Sequence, residues 1–168
     1  MTSLFEIKHR YSNADLFSLE TESLKVCAQE AVRLSADLRG ADFEGANLEG
    51  VNLEGANLRG ANFEGANFEW ADLRDADLRG ASFKGANLDG AEGIIHMGAP
   101  NGYHAHAWLR DGWLSIRVGC HEFRLPEARA YWAGKDHRRE ALAALDYAEA
   151  VVTIRGWALV APAKQEAA

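Results

Sequence analysis

Four side chains towards the C-terminal end have the types that bind zinc. His104 and His106 are two residues apart, so on a strand they would lie on the same face. Cys120 and His121 follow later in the chain and could fold back towards them, which would combine nitrogen and sulfur ligands. No carboxylate or second thiol completes the set. We therefore predict no metal site and no cofactor.

Cys120 and His121 are also the types that form a nucleophile and its base. Adjacent residues of a strand point to opposite faces, however, and no third group is placed to orient the histidine. The chain also contains no GxxxxGK[ST] loop for phosphate. We predict no catalytic residues and no enzymatic activity; the alternative is a small metal-dependent enzyme in the C-terminal region.

Carboxylates are the most numerous charged groups, and they are concentrated in the middle of the chain. The net charge is -7, with 25 acidic against 18 Lys and Arg side chains, and residues 36–93 carry the whole excess. An acidic surface repels nucleic acid and attracts basic proteins. The charge therefore predicts a partner protein with a basic, nucleic-acid-binding surface, and no direct binding of nucleic acid.

The acidic region is an internal repeat of five residues. Residues 36–90 read ADLRG, ADFEG, ANLEG, VNLEG, ANLRG, ANFEG, ANFEW, ADLRD, ADLRG, ASFKG and ANLDG. A period of five fits neither a helix nor a plain strand, so each unit needs a corner, which Gly at the fifth position provides. Four units would close a coil of 20 residues, and Phe43, Phe63 and Phe83 recur at that spacing. The pattern predicts a four-sided β-solenoid.

These units resemble the pentapeptide-repeat family, whose motif is commonly written A(D/N)LXX. The resemblance implies a right-handed quadrilateral β-helix. Four positions depart from the motif, namely Val51, Ser82, Trp70 and Asp75. Some members of the family are similar to a DNA duplex in width and charge and bind DNA-handling proteins such as gyrase as decoys.

The 20-residue register places the charged fourth positions in columns on the outside. Arg39, Arg59 and Arg79 form a basic column on the first side. The candidate partner-binding residues lie on the second and third sides; they are Asp42, Glu44, Glu49, Glu64, Glu69 and Asp89. Trp70 is a possible further contact, unless it packs against a flanking segment. The alternative role of the acidic columns is solubility alone.

The flanking segments are predicted to cover the ends of the solenoid, because an open end is an unpaired sheet edge. Residues 1–35 predict a β-hairpin followed by a helix with Leu24, Cys27, Ala31 and Leu34 on one face. Residues 94–168 predict a small α+β module, with a β-hairpin that turns at Asp111-Gly112 and then two helices, the second of them capped by Asp136. The fold class is thus mainly β, with a solenoid at residues 36–93.

The N-terminal segment FEIKHRYSNADLFSLETESLKVC also resembles a leader of pentapeptide proteins from phages and prophages. Together with the acidic surface, it suggests an anti-CRISPR, anti-restriction or anti-gyrase inhibitor that acts by mimicking DNA. The alternative is a structural scaffold that mediates assembly, and a homodimer is possible in either case. No apolar stretch is long enough for a membrane span, so a cytoplasmic location is expected.

Overall fold

The middle of the chain is a four-sided solenoid with a coil of 20 residues. The computed structural model describes residues 2–98, 100, 104–110, 113–135 and 138–157, without the side chains of Arg110 and Arg138. Parallel bridges join Asp42 to Asn62 and Asn62 to Ser82, and the same spacing recurs on the other sides. The predicted coil length is confirmed.

Each position of the repeat has a separate physical role. The first and third residues point inward and are buried, as at Ala61 and Phe63. The second residue is usually Asp or Asn because its side-chain oxygen accepts the backbone N–H two residues later, as Asn67 does from Glu69 at 3.2 Å. The fifth residue adopts a left-handed conformation at every corner, which explains Gly there.

The interior is a stack of identical side chains from successive coils. The Phe43 and Phe63 rings stack at 5.4 Å between centroids, and the Phe63 and Phe83 rings stack at 4.9 Å. Phe68 meets Phe63 edge-on at 5.0 Å from the neighbouring side. Stacked and edge-on aromatic contacts are both favourable, so this column contributes to the stability of the core beyond the burial of its area.

The N-terminal segment folds as two strands and a helix over the first coil. Strands β1 (Ser3–Lys8) and β2 (Asp15–Thr21) pair antiparallel, and helix α1 (Leu24–Arg33) follows, with Ser23 as its N-cap. Ile7, Cys27, Ala28 and Ala31 are buried and join the solenoid core. The backbone of the first coil also bonds to this segment, since the Asp42 N–H donates to the Lys8 carbonyl at 2.8 Å.

One residue of the predicted helix face lies elsewhere. Leu34 is the C-cap residue of α1 and is exposed, because it follows the last turn and points away from the first coil. The buried stripe of the helix is instead formed by Cys27, Ala28 and Ala31.

The C-terminal segment is a four-stranded antiparallel sheet with two helices. It contains β3 (Ile94–His96), β4 (Ala105–Arg110), β5 (Trp113–Val118), β6 (His121–Arg124), α2 (Leu125–Ala133) and α3 (Arg138–Ile154), and the strands lie in chain order. Strand β3 was not predicted, because three residues are too few for a periodic signal. The predicted turn at Asp111-Gly112 and the predicted helix cap at Asp136 lie outside the described residues.

Alternate residues of β4 connect this sheet to two cores. Ala105 and Ala107 pack with the helices, whereas Trp108 joins the solenoid core and His106 contacts Phe83. The sheet therefore lies between the helices and the last coil. Within the described part of the chain, no helix is both long enough and apolar enough to cross a membrane.

Candidate protein-binding face of the solenoid

The third side of the solenoid carries a column of three carboxylates. Glu49, Glu69 and Asp89 occupy the fourth position of successive units, one per coil. The backbone of this side is held by hydrogen bonds between coils: the Leu48 N–H donates to Asn67 at 2.8 Å, and the Phe68 N–H donates to Asn87 at 2.8 Å. The carboxylates therefore project from a rigid surface at about the 4.8 Å spacing of paired strands.

An amide ladder fixes the backbone from which these carboxylates project. Asn87 Nδ2 donates to Asn67 Oδ1 at 3.0 Å, so the second positions are linked from coil to coil. Each Asn oxygen also accepts the backbone N–H of the acidic residue two positions later, at 3.2 Å for both Glu49 and Glu69 and 3.1 Å for Asp89. The backbone at the base of each acidic residue is thus fixed before any partner arrives.

The third-side carboxylates form no ion pair with another described residue. The ammonium group of Lys25 reaches this side, but it donates to the main-chain oxygen of Glu49 at 2.6 Å and not to the carboxylate. Glu49 and Asp89 are exposed, and Glu69 is half-buried. The negative charge of this column is therefore available at the surface.

The second side has its carboxylates largely occupied. Asn62 Nδ2 donates to Asp42 Oδ1 at 3.0 Å and to Glu44 Oε2 at 3.1 Å. Lys84 forms an ion pair with Glu64 at 2.5 Å, and this contact raises the pKa of the lysine. The structure brings Asp42, Glu44 and Glu64 together as a network within the side, so this side offers less free charge than the third.

The arginine column of the first side is nearly neutral. Arg39 forms a two-pronged contact with Asp37, with distances of 2.9 Å from Nε and 2.5 Å from Nη2. This contact lowers the pKa of Asp37, chiefly through the hydrogen bond from Arg39. Arg79 pairs with Asp77 in the same way, and only Arg59 follows an Asn instead of an Asp.

Two of the three arginines in the predicted basic column are therefore paired within their own unit, whereas Arg59 has Asn57 at the second position. The pairing follows from the spacing Asp-x-Arg within a unit, which the sequence contains at Asp37 and Asp77. The fourth side has the same arrangement at Asp72 and Arg74, where the guanidinium lowers the pKa of the carboxyl. The repeat thus pairs three of its four arginines with an Asp of the same unit, and it leaves the third-side carboxylates without an ion pair to a described residue.

Trp70 lies at the corner where the third side turns into the fourth. Its indole Nε1 donates to Glu69 Oε1 at 3.1 Å, and its ring lies over Gly90 of the next coil, where a Cβ atom would come within 2.3 Å of Trp70 Cε3. The side chain is 68% exposed. Trp70 therefore packs along its own corner, and its ring is accessible beside the acidic column.

The histidines of the C-terminal module lie in different environments. His106 is buried, with its Nε2 atom 3.3 Å from His96 Nδ1 and its ring 5.5 Å from the Phe83 ring. His121 instead stacks on Phe123, and Cys120 is exposed. Among the described residues, no group of three or more His, Cys, Asp or Glu side chains could hold a metal ion.

Comparison with known proteins agrees with the geometry of the coil. The family described as Pentapeptide repeats matches residues 36–75 and 61–92, with 8 copies of the repeat. Residues 36–92, about a third of this chain, thus match the pentapeptide-repeat family. A comparison with curated proteins gave no match.

Two solved pentapeptide-repeat proteins are similar to this chain over part of its length. The protein Rfr23 of the cyanobacterium Cyanothece is 49% identical over 33% of this chain and 37% of its own, with a TM-score of 0.32. A protein of the thylakoid lumen of Arabidopsis thaliana is 40% identical over 38% of this chain and 50% of its own, with a TM-score of 0.26. The chain thus spans half or less of each of these relatives.

Pentapeptide repeats form right-handed quadrilateral β-helices, so the solenoid at the centre of the predicted fold is confirmed. Proteins with such repeats often serve as protein-interaction modules. The repeat segment carries all six candidate carboxylates and Trp70. The sequence could place them on sides, but it could not show which were already paired, because that depends on side-chain contacts within and between coils.

Proposed function

We propose that this pentapeptide-repeat protein is a non-enzymatic binding protein whose third side contacts a basic surface of a partner protein. The observation that carries the proposal is the column of Glu49, Glu69 and Asp89, which projects from a rigid side without an ion pair among the described residues. Complementary charge of this kind guides association and selects partners.

The size of the column limits what it can contact. Three carboxylates at strand spacing extend over about 10 Å, whereas a DNA duplex of that length carries about six phosphates. The third side is thus a short, single-column imitation of a phosphate backbone. It fits two or three Arg or Lys side chains of a nucleic-acid-binding site and does not match a long groove.

Trp70 supplies an apolar contact at the edge of this charge. Its exposed ring can accept an arginine on its face, while the adjacent Glu69 carboxylate accepts hydrogen bonds from the same guanidinium. Interface energy is usually concentrated in a few residues, with Trp prominent among them. We therefore assign Trp70 and Glu69 as the centre of the contact.

The partner class follows from this chemistry. A basic surface that holds phosphates belongs to a DNA- or RNA-handling complex, and occupying that surface would inhibit it. The resemblance of the N-terminal segment to phage and prophage leaders supports an origin in a mobile element, with an anti-CRISPR, anti-restriction or anti-gyrase role in the host cytoplasm. The second side, with Asp42, Glu44 and Glu64, would widen the contact.

The test is capture of partners from a bacterial host lysate by the intact protein and by the Glu49→Lys/Glu69→Lys variant. A matched control is Glu20→Lys/Glu22→Lys, which changes the net charge equally at two exposed positions outside the repeat. We expect a nucleic-acid-handling complex to be retained by the wild type and the control and lost with the solenoid variant. Loss with both variants would mean that net charge alone is responsible, and no such complex with any of them would favour the scaffold function.

A further inference from the structure

The end of the solenoid after the last coil is closed unevenly. Between complete coils, most units form three backbone hydrogen bonds to the unit one coil later. On the third side, Phe68 and Trp70 donate to Asn87 and Asp89 at 2.8 and 2.9 Å, and Asn87 donates back to Ala66 at 2.9 Å. The last coil has no following coil. Its outward N–H and C=O groups must therefore find other partners or water.

The C-terminal module supplies such partners on two sides. On the first side, Glu122 Oε2 accepts the Gly80 N–H at 3.2 Å in place of a carbonyl. On the fourth side, Arg155 Nη1 donates to the Ala91 carbonyl at 3.0 Å in place of an amide. On the second side, the His106 ring covers Phe83.

The third side of the last coil is the more exposed of two sides whose outward backbone groups pair with no residue that the structure describes. On the second side these groups are the N–H of Phe83 and Gly85 and the carbonyl of Ala81, and there Ala81 and Phe83 are buried. On the third side they are the N–H of Leu88 and Gly90 and the carbonyl of Ala86. Exposure supports this, because Ala86 is partly exposed while Ala66, one coil earlier, is completely buried. An exposed strand edge of this kind is a template for one more strand.

The columns of charged fourth-position side chains on the second and third sides also end at the last coil. On the second side, the column finishes with Lys84 over Glu64 at 2.5 Å, so a cation one coil beyond a carboxylate has a precedent within this fold. On the third side, the column finishes with Asp89, whose titratable neighbour is His96 and which forms no ion pair with a Lys or Arg among the described residues.

We propose that residues 86–90 are a docking site for an extended segment of the partner, which adds as a parallel strand and places a Lys or Arg against Asp89. The segment accepts hydrogen bonds from Leu88 and Gly90 and donates one to Ala86. An Asn at its second position extends the amide ladder that ends at Asn87. The residue of the segment that points inward, above Leu88, is small. Leu88 is only 8% exposed, so little space is left above it.

This inference deepens the proposed function, since Asp89 is part of the same acidic column, but it rests on unpaired backbone groups and can fail separately.

The probe is a capped synthetic peptide, Gly-Ala-Asn-Ala-Lys-Gly-Ala, titrated into the ¹⁵N-labelled full chain. We expect saturable shifts of the Leu88 and Gly90 amide signals. The same peptide with Glu in place of Lys should bind several-fold more weakly, and Asp89→Lys should reverse that preference.

A second control separates strand addition from simple charge attraction. Methylation of the backbone nitrogen of the peptide Asn removes the donor to Ala86 and should abolish the saturable shifts. Equal binding of the methylated peptide, or the absence of saturation with the unmodified one, would overturn the docking site. Peptide binding without capture of a nucleic-acid-handling complex would keep the site and remove the proposed inhibitory function.

Discussion

At the scale of single residues, the corners of the coil are the most demanding positions. Nine corners of the repeat have Gly with φ between 58° and 71°, whereas Trp70 and Asp75 adopt φ of 58° and 56° with side chains present. A left-handed conformation costs a non-Gly residue about 1 kcal/mol. At Trp70 the strain is offset by contacts of the ring with Gly90 and Glu69. At Asp75 no contact with a described residue explains the conformation.

A reciprocal exchange of corner residues measures that cost on one column. Gly55 lies one coil before Asp75, has φ of 70°, and has open space where a Cβ atom would be. We expect Asp75→Gly to raise the free energy of unfolding by about 0.5–1 kcal/mol and Gly55→Asp to lower it by a similar amount. Urea denaturation of both variants checks this. Destabilisation by Asp75→Gly would mean that the side chain makes a contact worth more than the strain.

At the scale of elements, the repeat could be predicted from sequence and the flanks only partly. Eleven units report the same pattern, so the coil length, the inward columns and the outward columns all follow from period alone. The pairing of Arg39 with Asp37 joins two residues of one unit, so a comparison of residues 20 apart does not show it. Strand β3 was missed because its three residues obtain their structure from β4 and the last coil, not from a local pattern.

The phenylalanine column allows a test of how strongly the coils depend on matched side chains. Phe63 is completely buried and stacks between Phe43 and Phe83, whereas Phe68 lies between Leu48 and Leu88 in its own column. We expect Phe63→Leu to cost about 1–2 kcal/mol of unfolding free energy, because it removes two ring stacks and leaves a small void.

Phe68→Leu is the matched control in the neighbouring column. The substitution leaves three Leu residues in register and removes an edge-on contact with Phe63 and a tilted contact with Phe83 at 5.8 Å, but no ring stack. We therefore expect a cost at least about 0.5 kcal/mol smaller than at Phe63, where two stacks are lost. Chemical denaturation of both variants gives the comparison. A larger loss at Phe68 would show that volume, and not ring stacking, determines the stability of the core.

At the scale of the whole molecule, the contact between the last coil and the C-terminal sheet depends on a neutral histidine. His106 of β4 is buried against Phe83, and three cationic or titratable groups surround it: His96 of β3, His104, and Arg117 of β5. Burial, followed by these neighbours, lowers the pKa of His106 to about 3 from its ordinary 6.5. Burial also lowers the pKa of His96, which Asp89 partly offsets.

Acid should therefore weaken the attachment of the module. Between pH 6.5 and about 3, His106 takes up a proton in the unfolded chain and not in the folded one, so the stability present above pH 6.5 falls as the pH decreases. The slope from this group is up to about 1.4 kcal/mol per pH unit.

We predict that His106→Phe, which keeps a ring against Phe83, flattens the pH dependence of the free energy of unfolding between about pH 6.5 and 4.5. Most carboxylates titrate below this range. Urea denaturation followed by tryptophan fluorescence at several pH values gives the slope, and an unchanged slope in the variant would show that the junction does not depend on a neutral His106.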